Sequence, residues 1–168
     1  DALVDATLSA SNNSFVGSLE SLGNASSAPA TEGGLALTFT QPATGSSKVW
    51  FRVYARDGGT NSFWVTMSGK SSSDITLGND SDETWSGDWN RFTNNFTDIT
   101  DAWHWVEWGE MDLAAGSHTL EVKRREGGTY VDQILVTSDT TFIPSDIIDL
   151  DASTRDCTTD ATAGHYPD

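Results

Sequence analysis

Along the middle of this chain, apolar and polar residues change places at nearly every step. In the stretch 48–56, Val49, Phe51, Val53 and Ala55 fall on one side of an extended backbone, and Trp50, Arg52, Tyr54 and Arg56 on the other. A period of two is the mark of a β-strand, because successive side chains leave opposite faces of the pleat. The same alternation predicts strands over 35–40, 62–68, 103–109, 117–125 and Thr129–Thr137. Gly, Asn and Asp punctuate the joints. The short connection Asp57-Gly58-Gly59-Thr60-Asn61 predicts that 48–56 and 62–68 form a hairpin, with Phe63, Val65 and Met67 inward. The last strand is apolar on both faces, with Tyr130, Ile134 and Val136 against Val131 and Leu135, and is expected to lie inside its sheet. Weaker β patches stand at 2–8 and 14–19.

No amphipathic helical period interrupts these strands, and their Gly-rich turns recur at short spacing. The expected fold is all-β: a two-sheet antiparallel β-sandwich of jelly-roll type. Its shared core is expected to hold Phe51, Val53, Phe63, Val65, Leu120, Val122, Ile134 and Val136. The chain then divides into an N-terminal strand or loop segment, 1–34, a sandwich core, 35–144, and a C-terminal tail or linker, 145–168. The excursion 69–100 reads as a long polar loop, and a loop of that length in a compact domain is usually functional.

Charge narrows the partners. The 168 residues hold 25 acidic and 9 basic side chains, a formal net charge of -16. Such a surface repels a phosphate backbone and an anionic membrane, so neither nucleic-acid binding nor membrane insertion is expected. The acidity suits two readings equally: oxygen ligands and solubility for a calcium-binding protein, or adaptation to salty surroundings. Cys157 is the single cysteine, so no intrachain disulfide can form. No apolar run is long enough to span a bilayer. The chain opens without a signal peptide, as a mature or excised piece does, and an extracellular or cell-surface location is expected. Four Asn-x-Ser/Thr triplets, beginning at Asn12, Asn24, Asn79 and Asn95, arise readily by chance in a chain this rich in Ser, Thr and Asn.

Candidate chemistry centres on tryptophan. All seven lie within 48–144, several beside turns. An indole held at a turn offers a flat face to the axial C–H groups of a sugar ring. Trp85, Trp89 and Trp103 are the stacking candidates, with core packing as the competing role; Trp50, Trp64, Trp105 and Trp108 read as packing residues within strands. Asn90 and Asn61 either bond sugar hydroxyls or serve a turn. Arg125 either clamps a uronate carboxylate or pairs with a neighbouring acid. An enzyme is not expected. The three histidines, His104, His118 and His165, sit in no metal or nucleophile motif, and His118 falls on an inward strand position. Glu107, Glu110 and Asp112 supply carboxylates, but acids are so abundant here that a glycosidase-like pair arises by chance.

The order of several short pieces is also informative: Asn61-Ser62-Phe63-Trp64-Val65, then Trp85 with Trp89-Asn90, then Trp103-His104-Trp105-Val106. Leu113-Ala114-Ala115-Gly116-Ser117-His118-Thr119-Leu120, Arg125-Glu126-Gly127-Gly128 and Asp132-Gln133-Ile134-Leu135-Val136-Thr137 follow. Together, over 35–144, they resemble the β-sandwich carbohydrate-binding modules allied to families six and thirty-five, which are often appended to polysaccharide-degrading enzymes. The resemblance implies a lectin-like, galactose-binding-like jelly roll that is not catalytic and binds a polysaccharide or glycan through loop tryptophans. It also implies a structural calcium, with Asp132 at the start of the final strand as one ligand. The usual pair of first-strand glutamates is missing, and Asp5 with Thr7 is the nearest equivalent. A rival reading is a subunit of an extracellular fibre or adhesin, self-assembling by exchange of the N-terminal strand 2–9.

Overall fold

The computed structural model describes residues 15–17, 24, 25, 27, 29, 30, 34–55, 57–78, 81, 83–93 and 102–145. The expected strand at 2–8, the exchange segment 2–9, Asp5 and the tail from 146 onward lie outside the described residues, as do residues 94–101. Ten strands lie among the described residues: β1 Val16–Gly17, β2 Gly34–Gln41, β3 Gly45–Ala55, β4 Ser62–Met67, β5 Ile75–Leu77, β6 Trp85–Ser86, β7 Trp89–Thr93, β8 Trp103–Leu113, β9 Gly116–Arg124 and β10 Thr129–Thr137. A 3-10 turn, Ser72–Asp74, precedes β5. No helix among the described residues is long and apolar enough to cross a membrane.

The strands form two five-stranded sheets in the orders β1-β10-β3-β8-β5 and β2-β9-β4-β7-β6. Every pairing is antiparallel. With the short β5 and β6 set aside, β1-β10-β3-β8 faces β2-β9-β4-β7. That interleaving is a jelly roll. Among the described strands the chain changes sheet at every connection except the β6–β7 hairpin.

This topology corrects one expectation. β3 and β4 are not a hairpin: β3 belongs to the first sheet and β4 to the second. Asp57 holds the connection, accepting the Gly59 N–H on Oδ1 at 2.9 Å and the Thr60 N–H on its carbonyl at 3.1 Å. The reason is burial. Both strands are apolar on one face, and stacking those faces across the roughly 10 Å between sheets buries both at once. Phe51 of β3 meets Phe63 of β4 edge to face at 5.1 Å, and Phe63 stacks on Phe92 of β7 at 4.5 Å.

The core is the one the alternation predicts. Phe51, Val53, Phe63, Val65, Leu120 and Val122 are buried, and Ile134 and Val136 pack against them. Trp108, Phe92, Met67, Met111 and Leu113 complete it. β10 is paired on both sides only at Tyr130 and Val131, with β1 and β3; over 133–137 its described partner is β3 alone. The stretch 69–100 is more ordered than a loop: it carries β5, β6 and β7. Strands of two to five residues are too short for a period of two to stand out, and only their pairing with β8 and β4 defines them.

Candidate functional site

The WSGDWN sequence builds a tight hairpin. Trp85 faces Asn90 and Ser86 faces Trp89 across the two-residue turn Gly87-Asp88. Gly87 has φ 61°, the left-handed conformation that such a turn needs at its first position and that glycine adopts without strain. The Thr66 hydroxyl donates to the Asp88 carbonyl at 2.8 Å and ties the turn to β4.

Residues directly opposite in an antiparallel pair leave the sheet on the same side, and the next pair leaves on the other. Trp85 and Asn90 therefore share the inner face, and Trp89 lies on the outer one. Trp85 is half-buried and packs against the core. Asn90 is 0% exposed. Its Oδ1 accepts the Trp108 indole N–H at 3.0 Å, and its amide donates to the Thr84 carbonyl at 3.3 Å. Asn90, expected to bond sugar hydroxyls, is thus a core residue that satisfies a buried indole. Trp89 is half-buried like Trp85 and differs from it in leaving the outer face.

Pairing of β7, β4 and β9 sets neighbours around Trp89 that were not singled out from sequence. Trp64 of β4 lies opposite Arg91 and Lys123, and Thr66 lies opposite Glu121. Their parity, alternating with Val65, Phe92, Leu120 and Val122, is readable from sequence, but their adjacency depends on which strands pair. Trp64 belongs to this outer face yet is 1% exposed, with its indole N–H donated to the Ala25 carbonyl at 3.0 Å. The backbone at Ala25 and Ala30 bonds to Arg125 and Arg124. The described N-terminal residues Ala25 and Ala30 therefore lie at the Trp64 end of this face.

The other candidates stand elsewhere. Asn61 and Arg125 sit at the opposite end of the second sheet, beside Ser62 and Thr93. The Asn61 N–H donates to Glu126 Oε2 at 3.0 Å, and Arg125 pairs with the Glu126 carboxylate and the Ser62 hydroxyl. The ion-pair reading of Arg125 is the one the structure displays. Trp103 lies on the outer face of the first sheet, in an aromatic group with Phe15, Tyr54 and Tyr130, and the Arg52 guanidinium stands 5.4 Å from its ring. Trp89 and Trp103 thus point away from opposite sides of the sandwich and form no common platform. His118 is half-buried against Phe39, its Nε2 2.8 Å from the Ala114 carbonyl.

Asp132, expected as a calcium ligand, sits at a bulge in β10 between Val131 and Gln133. Its side chain is 0% exposed and accepts a charge-assisted bond from Arg52, itself 10% exposed. A carboxylate joined to a guanidinium already has its countercharge. Among the described residues no group of three or more His, Cys, Asp or Glu side chains could hold a metal ion. The described residues around Asp132 therefore do not fit a calcium site.

An open recess of about 360 Å³ at the β5 edge of the first sheet is lined by Ser46, Asp74, Thr76, Glu110, Met111 and Asp112. The Ser46 hydroxyl donates to Glu110 at 2.7 Å. Asp74 caps the 3-10 turn: the Ser71 hydroxyl, then the Ser71 N–H, hold its carboxyl below the ordinary 3.8. Asp74 and Glu110 thus serve local backbone and hydroxyl groups.

No protein-family model matches the chain, and no curated protein matches it. Among solved structures it is similar to a ruminal family 26 endo-β-1,4-mannanase, with TM-score 0.44 and 17% identity over 64% of this chain and 18% of that one. It is also similar to a carbohydrate binding module from Cellvibrio mixtus lichenase 5A, solved in complex with cellotriose. There the TM-score is 0.43 and the identity 18%, over 74% of this chain and 85% of that one. A family 35 carbohydrate binding module from an environmental isolate gives TM-score 0.40 and 15% identity over 75% and 85%. What the fold itself defines is an all-β jelly-roll sandwich with one half-buried tryptophan, Trp89, on the outer face of its second sheet.

Proposed function

We propose that this chain is a non-catalytic carbohydrate-binding module that lays the outer face of its second sheet against an extracellular or cell-surface polysaccharide, with Trp89 as the stacking residue. One observation carries the reading. Trp89 stands half-buried on the outer face of a two-residue hairpin and makes no ring contact with a described aromatic, while Thr66, Arg91, Glu121 and Lys123 share its face. A flat indole supplies apolar contact to a sugar ring, and surrounding hydroxyl and charged groups supply hydrogen bonds to its hydroxyls.

The carboxylates favour binding over catalysis. Glu107 is paired with Lys48, Glu126 with Arg125, and Asp132 with Arg52. A glycosidase needs one carboxyl to donate a proton and a second to act as nucleophile or base, both facing the scissile bond. These three instead neutralise cations within the fold. Attachment to a polysaccharide-degrading enzyme fits the reading.

Affinity electrophoresis on gels containing soluble glucans, mannans and xylans tests it. Wild type is expected to be retarded on at least one gel, Trp89→Ala to run free, and Trp103→Ala to be retarded like wild type. Loss of retardation in Trp103→Ala but not in Trp89→Ala would move the site to the first sheet and overturn the assignment.

A further inference from the structure

Sheet edges are where a β-protein is open to other chains, because half of an edge strand's N–H and C=O groups have no partner in the sheet. Among the described residues, four strands end the two sheets: β1, β5, β6 and β2. Three are blunt, β1 and β6 with two residues and β5 with three. β2 differs, running eight residues as GLALTFTQ, with no charge, no proline and no irregularity in its register with β9. Along it Gly34, Ala36, Thr38 and Thr40 are exposed, while Leu35, Leu37 and Phe39 face inward and are only half-buried. Lys, Pro, bulges and shortness are the devices that protect an edge, and β2 uses none of them.

The geometry points to β2 as a pairing edge whose occupant is β2 of a second copy, giving a two-fold dimer with a continuous ten-stranded sheet. The argument for a second copy is self-complementarity. An antiparallel pairing keeps inward residues inward only if residues of equal parity meet. Centred on Leu37, it sets Leu37 against Leu37, Leu35 against Phe39, Ala36 against Thr38 and Gly34 against Thr40. Apolar side chains then meet apolar ones over the rim of each core, small residues meet small ones outside, and no charges face each other. The two-fold axis stands perpendicular to the sheet, so both Trp89 faces lie on the same side. Seven strand spacings of about 4.8 Å separate β7 from its copy, roughly 34 Å.

The bodies that meet are each formally -16, so repulsion opposes the contact and salt relieves it. Sedimentation equilibrium at low and at about 0.5 M salt, over micromolar to millimolar protein, is expected to show a monomer–dimer equilibrium that tightens with salt. The double variant Ala36→Lys/Thr38→Lys places lysines opposite one another across the dyad. It is expected to raise the dissociation constant at least tenfold, although it brings the net charge nearer zero. Thr76→Lys, on β5 of the other sheet, adds a lysine without that effect. Amide exchange within 35–40 is expected to slow as the wild type associates and to stay fast in the double variant, with circular dichroism confirming that both are folded. A wild type that stays monomeric at millimolar concentration and high salt overturns the proposal. So does a dimer that survives the two lysines, or one that protects a segment other than β2.

Discussion

Replacing Asn90 by alanine separates the two roles open to that residue. Asn90 is fully buried, and its Oδ1 is the acceptor for the indole N–H of Trp108, also 0% exposed. Truncation leaves that N–H without its acceptor, at about 1–3 kcal/mol for an unsatisfied buried donor. The vacated volume adds a cavity of about methyl size or larger, roughly 1 kcal/mol more. The sum, about 3 kcal/mol, lowers the melting temperature of a domain this size by roughly 10 °C. Calorimetry and urea unfolding followed by tryptophan fluorescence measure it. The hydrogen bond itself is isolated by a cycle with Trp108→Phe, which keeps an aromatic ring and removes the donor. The double variant should be less destabilised than the sum of the singles by about 1–2 kcal/mol. Polysaccharide affinity at a temperature where the variant is folded should be unchanged. An Asn90→Ala protein within about 0.5 kcal/mol of wild type that binds its polysaccharide tenfold more weakly would refute the reasoning, since surface substitutions away from such networks fall in that range.

Trp89→Ala should leave the melting temperature nearly unchanged and weaken polysaccharide binding about ten- to a hundredfold, the roughly 1–3 kcal/mol that one base stacked on an aromatic side chain contributes; titration calorimetry reads both constants. Arg52→Met removes the partner of buried Asp132 and should destabilise the fold by about 3–5 kcal/mol, whereas chelation of the wild type should leave its melting curve in place; a drop on chelation would show a metal the described residues do not explain. The Ser71 bonds hold the Asp74 carboxyl below 3.8, so their contribution to the 3-10 turn is complete above that value and lost as pH falls through the lowered one. The Ser71 amide resonance followed by NMR should titrate with a midpoint below 3.8 in wild type and show no such step in Asp74→Asn.

The alternation in 48–56 and Thr129–Thr137 was enough to place Phe51, Val53, Ile134 and Val136 on inward faces, because the pleat turns a sequence period of two directly into sidedness. It was also enough to indicate two stacked sheets, since four strands apolar on one face must bury that face against something. Composition alone indicated a surface unsuited to phosphate backbones. Pairing was beyond it. A period of two says which side a residue leaves, not which strand lies beside it, so the crossing from β3 to β4 read as a hairpin and β5, β6 and β7 read as loop. The same limit hid the site. Trp85 and Trp89 both flank a turn, yet the register Trp85 to Asn90 and Ser86 to Trp89 sends one indole inward and the other outward. Asp132 shows the limit for charge: a carboxylate at the start of the last strand is equally legible as a metal ligand or an ion-pair partner. The structure joins it to Arg52, 80 residues earlier in the chain and adjacent only once β3 and β10 pair. Sidedness is a local property of the backbone, and adjacency is a collective property of the folded chain; the sequence carries the first openly, and the core, by choosing how the sheets close, decides the second.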